Sequence, residues 1–182
     1  MDIFEDLEKE HHTITRVMDA FMKYLDSVEA KHDVDRHDLF RFVTFFSDYA
    51  DGIHHAKEEA VLFAALERHG YATNMGPLAH IREQHSHERA LFARLKRAAT
   101  DKYAWSDERI GELLATGREL VEFERAHMKK EDELLYPEAK RELAGEAAAD
   151  IDKSLTRFRR IHDVEGYAGY LDQLAGELAD GA

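Results

Sequence analysis

Apolar residues recur every three or four positions along almost the whole chain, and no alternating pattern of the strand type stands out. Ile3, Phe4, Leu7, Ile14, Val17, Met18, Phe21, Met22, Leu25 and Val28 form one stripe, which predicts a first long helix ending near Lys31. Leu39, Phe42, Val43, Phe46, Tyr49, Ile53, Val61, Leu62, Ala65 and Leu66 predict a second, closed by Gly70 after His69. Residues 71–76 read as a loop. Pro77 suits the first turn of a third helix, where its missing N–H costs nothing. That helix carries Leu78, Ile81, Phe92 and Leu95 and breaks near Thr100 and Asp101. Ser106 or Asp107 can cap a fourth, with Ile110, Leu113, Leu114, Leu120, Val121, Leu134 and Leu135 on its apolar face and Pro137 expected to kink or end it. The remainder, 143–182, gives one or two shorter helices around Leu155, Phe158, Ile161, Tyr167, Tyr170, Leu171 and Leu174.

Four long helices with short joints predict an all-α, up-down-up-down four-helix bundle over about 1–142, followed by an additional C-terminal helical segment over about 143–182. No linker or low-complexity run divides the chain, so 1–182 reads as a single domain.

Composition narrows the function classes. With 182 residues the chain can bury a full core without metal or disulfide staples, so a metal site would serve chemistry more than folding. There is no cysteine, which excludes disulfides, thiolate metal sites and cysteine nucleophiles. A net charge of −13 argues against binding nucleic acid or an anionic membrane. The basic cluster Lys153, Arg157, Arg159 and Arg160 breaks that trend and reads as a solvated helix face. The charged N-terminus (Asp2, Glu5, Asp6, Glu8, Lys9, Glu10) is unlike a secretory signal, and the longest run free of Asp, Glu, Lys and Arg is far too short to span a bilayer; a cytoplasmic location is expected. Twelve histidines are the compositional oddity.

Their positions carry the argument. His54 opens the segment HHAKEEAVLF and His127 opens HMKKEDELLY, both of the form H-x-x-K-E-[ED]-x-x-L-[FY]. At nearly the same separation, Glu10-His11 on the first helix matches Gln84-His85 on the third, and Leu7 matches Ile81. The chain thus reads as two copies of a helix pair, each with one histidine on its first helix and H-x-x-x-E on its second. Residues four apart on an α-helix differ by about 40° and lie one turn apart. His54 with Glu58 can therefore face His127 with Glu131, and His11 and His85 complete a ring of four imidazoles and two carboxylates. Such a set suits two ions bridged by the two glutamates, iron first, with manganese or zinc as alternatives.

A single H-x-x-x-E pair is weak, since both residues occur freely on solvated faces. Here each pair continues the apolar stripe, into Val61 and Ala65 in one copy and into Leu134 in the other. Burying such groups without a partner costs on the order of 1–3 kcal/mol each. Asp51 and Glu124, each three residues before a ligand histidine, are candidates for orienting imidazoles from outside the ring. The helical phase assigns the other eight histidines (His12, His32, His37, His55, His69, His80, His87 and His162) to solvent or to helix ends.

These motifs resemble the hemerythrin-like, or HHE cation-binding, family: E-H-x-x-I at Glu10 to Ile14, H-x-x-K-E-E at His54, Gly76-Pro77 before the helix bearing His85, and H-x-x-K-E-D-x-x-L-Y-P at His127. The resemblance covers about residues 1–140 and implies a four-helix bundle around a non-haem di-iron centre. It also implies departures. Oxygen carriers place H-x-x-x-H on the third helix, whereas the positions four away from His85 are Ile81 and Arg89. Their last motif uses an aspartate five residues after its histidine, so Asp132 stands as an alternative to Glu131. The pattern H–HxxxE–H–HxxxE looks like the bacterial hemerythrin-like variants rather than the carriers. The expected function is a di-iron protein that reacts with peroxide, oxygen or nitric oxide, with peroxide degradation of the catalase type as one candidate activity. The alternatives are a non-catalytic iron sensor or store working with a protein partner, and a metal-free helical interaction module. Homo-oligomers are compatible with either.

Overall fold

The computed structural model describes residues 2–72, 75–162 and 166–181. Thr73 and Asn74 of the 71–76 loop, Asp163, Val164 and Glu165 of the C-terminal segment, and the two terminal residues lie outside the described residues. The fold is all-helical, as the periodicity predicts, and four long rods build it. The first is α1 (Ile3–Lys31), capped by Asp2, whose carboxylate accepts from the Phe4 N–H. The second runs through α2 (Arg36–Thr44), two π-helical stretches (Phe45–His55 and Glu58–Phe63) and α3 (Ala64–Arg68). The third is α4 (Gly76–Thr100), with Pro77 in its first turn. The fourth joins α5 (Asp107–Lys130), a π-helical turn (Glu131–Leu135) and α6 (Tyr136–Glu142). Ser106 caps it by accepting from the Arg109 N–H.

Pro137 does not end the fourth rod. The π turn sends the Tyr136 N–H back to the Glu131 carbonyl, five residues away, so the α-helical register is already interrupted where the proline enters the first turn of α6. The same wider turn changes which residues face inward. Leu134, expected on the apolar face, is 65% exposed, while Leu135 and Tyr136 are buried.

The C-terminal helices α7 (Glu146–His162) and α8 (Tyr167–Asp180) are built into the core rather than appended to it. α8 lies along α1 and the second rod, and α7 lies against the Glu58–Phe63 stretch and α1. Leu171, Leu174 and Leu178 join one apolar cluster, and Ile151, Leu155 and Phe158 join another. Arg159, read from sequence as part of a solvated face, instead pairs with the buried carboxylate of Asp6 on α1. Arg41 on α2 pairs with Glu177 on α8 at 2.6 Å.

The two apolar clusters are stacked along the bundle. One holds Leu7, Val61, Ile81 and Leu135; the other holds Ile14, Ala50, Leu91 and Val121. In sequence, each rod's ring histidine falls between its contributions to the two clusters. The polar layer is thus sandwiched between two apolar ones. Among the described residues no helix is long and apolar enough to cross a membrane.

Candidate metal centre

All six residues of the expected ring converge in that layer. His54, Glu58, His85, His127 and Glu131 are fully buried, and His11 is 5% exposed. His11 comes from the first rod, His54 and Glu58 from the second, His85 from the third, and His127 and Glu131 from the fourth. Their inward atoms lie close together. His11 Nε2 is 3.0 Å from His54 Nε2 and 3.2 Å from Oε2 of Glu131. On the other side, His85 Nε2 is 3.3 Å from Oε2 of Glu58 and 3.7 Å from Oε1 of Glu131, which is itself 3.1 Å from His127 Nε2. Ligand atoms of Glu58, His85, His127 and Glu131 fall within 4.8 Å of one another, as do those of His11, His54 and Glu131. Glu131 belongs to both groups.

Every imidazole of the ring is held from behind at Nδ1. His11 faces Asp132 at 2.9 Å, His54 faces Glu10 at 3.1 Å, His85 faces Glu59 at 2.8 Å and His127 faces the Gln84 side-chain oxygen at 3.3 Å. With Nδ1 turned outward to its acceptor, each Nε2 is left to face into the ring. The four acceptors follow the internal repeat: Glu10 and Gln84 precede the lone histidines, and Glu59 and Asp132 follow the ring glutamates. Asp132 therefore sits outside the ring and Glu131 inside it. Asp51 and Glu124, the outer residues expected from sequence, do not touch a ring imidazole's Nδ1: Asp51 accepts from Arg89 at 2.7 Å, and Glu124 is buried beside Glu88 and His55. The signal for the true acceptors was available, since each is adjacent in sequence to a ring residue. What was missing was the knowledge that a neighbour of one ring residue reaches the ring histidine on a different rod.

An aromatic ring stacks over each lone histidine. Tyr136 lies over His11 at 5.5 Å and 17°, and Phe63, its repeat counterpart, over His85 at 5.7 Å and 17°. The symmetry breaks at the hydroxyl. Tyr136 donates to Oε1 of Glu58 at 2.7 Å and stands 3.3 Å from His11 Nε2. Sequence reasoning passed over Tyr136; the [FY] position of the repeated motif was the only hint of it.

Within the ring the imidazoles and carboxylates offset one another's charge: burial disfavours charge on Glu131, yet His127, His11 and His85 outweigh it and hold Glu131 well below the usual carboxylate range. Burial, reinforced by the Glu131 carboxylate, pushes Glu58 up to about 7. Burial disfavours charge on His11, yet Asp132 and Glu131 outweigh it and push it up to about 10. His54 is driven well below the usual histidine range by burial and by the charge on His11. Oε2 of Glu58, Nε2 of His85 and His127, and both oxygens of Glu131 have no hydrogen-bond partner. Buried polar atoms without partners are costly, and their lone pairs all point into one space. Nitrogen and carboxylate donors without sulfur fit first-row divalent or trivalent ions, and the ring has enough of them for two.

Seven of the eight other histidines are exposed, as expected. His55 is the exception and is fully buried. An α-helical phase turns it away from His54, but the π-helical stretch ending at His55 carries both side chains into the interior. Its ring stacks on His85 at 4.0 Å.

A model of the hemerythrin HHE cation-binding domain matches the chain over residues 2–109 and again over residues 76–182. The two overlapping matches agree with the two-copy pattern of histidines and glutamates. No curated protein and no solved structure matches the chain.

Proposed function

The chain belongs to the hemerythrin HHE cation-binding family, and on that premise we propose that it holds two iron ions in the His11, His54, Glu58, His85, His127 and Glu131 ring and reacts there with a small oxidant or diatomic ligand. The observation that carries this reading is the orientation of the four imidazoles, each held at Nδ1 with Nε2 turned toward two unpartnered carboxylates. His11 and His54 would hold one ion and His85 and His127 the other, with Glu58 and Glu131 between them. Manganese or zinc could occupy the same donors. Bound iron supplies Lewis acidity and one-electron chemistry.

The residues of this chain define what can reach the centre. The ring is sealed above and below by apolar layers and is fully buried, which restricts any reactant to a molecule of a few atoms, such as peroxide, oxygen or nitric oxide. A cleft of about 430 Å³ between α1, the second rod, α7 and α8 is lined by Glu10, Tyr49, Ile53 and Lys57. Lys57, buried in its wall, pairs with Glu10, which in turn holds His54 Nδ1. The Tyr136 hydroxyl, stacked over His11, donates to Oε1 of Glu58 and leaves Oε2 without a hydrogen-bond partner. Tyr136 is placed to hold or give a proton at the centre.

Purified protein loaded anaerobically with iron(II) should contain the pair and change its optical spectrum on adding hydrogen peroxide, oxygen or nitric oxide. Absence of any spectral change with all three would overturn the reactive reading. The same sealing also favours a second reading, storage or sensing of iron without turnover and with a partner protein. That reading predicts a large gain in thermal stability on loading and no consumption of peroxide.

A further inference from the structure

One buried polar cluster is left over once the ring is assigned. His55 on the second rod, Glu88 on α4 and Glu124 on α5 are each fully buried. Both ring nitrogens of His55 and all four carboxylate oxygens lack a hydrogen-bond partner. Ligand atoms of the three lie within 4.8 Å of one another, and His55 Nε2 is 3.4 Å from Oε2 of Glu88. On its other side His55 Nδ1 is 3.5 Å from Asp51, whose carboxylate is anchored by Arg89 at 2.7 Å. That arrangement turns Nε2 of His55 toward the two glutamates, as the outer acceptors turn the ring imidazoles.

From this geometry we propose that His55, Glu88 and Glu124 form a third cation site beside the pair, for one divalent first-row ion such as iron(II), manganese(II) or zinc. One imidazole and two carboxylates balance a dication in charge and match its donor preference. Donors bound at about 2.0–2.2 Å stand at most roughly 4.4 Å apart across an ion, so small side-chain movements close the site. Glu88 also links the sites, since its Oε2 is 3.9 Å from His127 Nε2.

The internal repeat shows that the fold itself does not require these groups. In the other copy, the residues matching His55 and Glu88 are Met128 and Ile14, both buried and apolar. Only the Glu124 position stays acidic there, as Asp51. One half of the bundle carries the polar trio; in the other, two of the three positions are hydrocarbon and the third, Asp51, is partly exposed and bonded to Arg89.

The proposal extends the reading that the ring binds a pair, and metal content separates the two. Full-length protein is loaded with iron(II) or with manganese(II), desalted and assayed for metal per chain. We expect three ions in the wild type, two in the His55→Met/Glu88→Ile variant, which borrows the residues of the other half, and two in Glu124→Gln. A His11→Ala/Glu131→Gln variant should lose the pair and keep one. Anomalous scattering from crystals of the loaded protein should show the third peak between His55, Glu88 and Glu124. Two ions in wild type and trio variants alike overturn the third site and leave the pair standing. Fewer than two in both trio variants, with native helicity by circular dichroism, also overturns it, since the trio would then serve the pair. Undiminished metal in the ring variant overturns the reading of the ring instead.

Discussion

The carboxylate of Glu10 stands 3.1 Å from Nδ1 of His54, on another rod, so the residue beside one ring histidine orients a second one. Gln84, beside His85, does the same for His127, and Glu59 and Asp132, beside the ring glutamates, hold His85 and His11. Each rod therefore presents an inward residue and, next to it, a brace for its neighbour. Hydrogen-bonded braces of this kind fix the tautomer and the aim of an imidazole, and together they bring four Nε2 atoms to one place before any ion binds.

Asp132→Asn tests a brace in isolation. Asp132 is 45% exposed, so its replacement should not disturb the core. Metal affinity should fall roughly 10- to 100-fold, read by competition with a chelator of known strength. An unchanged affinity would mean that His11 needs no orientation from outside.

Tyr136→Phe keeps the ring stacked on His11 but removes the hydrogen bond to Glu58. The metal-free protein should lose on the order of 1–3 kcal/mol, because a buried carboxylate oxygen is left without a donor. Urea unfolding in the presence of a chelator measures this. The loaded protein should keep its metal content but show an altered absorption spectrum.

Leu134→Ala and Leu135→Ala test the register set by the π turn. Leu135 is 3% exposed and Leu134 is 65% exposed. The former substitution should cost about 2–5 kcal/mol and the latter within about 0.5 kcal/mol, by chemical denaturation. A straight α-helix through Glu131 would put both leucines within about 60° of its inward face and make the two costs comparable.

Loading should stabilise the protein by mass action, by about 4 kcal/mol when the free metal stands a thousandfold above its dissociation constant. In Glu58→Gln/Glu131→Gln that gain should vanish. The metal-free variant should also melt below the wild-type temperature: burial disfavours charge on Glu131, yet His127, His11 and His85 hold its carboxylate well below the usual range, and its loss leaves those imidazoles uncompensated. Scanning calorimetry with and without metal checks both statements.

A chain ending at Gly145 should not fold to the native bundle. It would lose Ile151, Leu155, Phe158, Leu171 and Leu174, which fill the side of the bundle along α1 and the second rod. Loss of cooperative melting together with binding of a hydrophobic dye is the expected result; a native melt would make α7 and α8 a true appendage.

The sequence by itself determined the four rods, the Ser106 cap of the fourth and the six residues that converge in the ring. Helical period and an internal repeat are one-dimensional signals, and a turn of about 3.6 residues turns spacing directly into a shared face. It did not determine what lay on a different rod or in a different helical register. The braces Glu10, Glu59, Gln84 and Asp132 act across rods, and no spacing along the chain encodes which rod a side chain will meet. His55, Leu134 and Tyr136 take places that spacing does not foretell because the rods wind as π-helix beside the ring residues, and that choice is made by packing rather than by local preference. The tertiary structure also decided that α7 and α8 complete the core, since only the assembled bundle reveals the seam they fill.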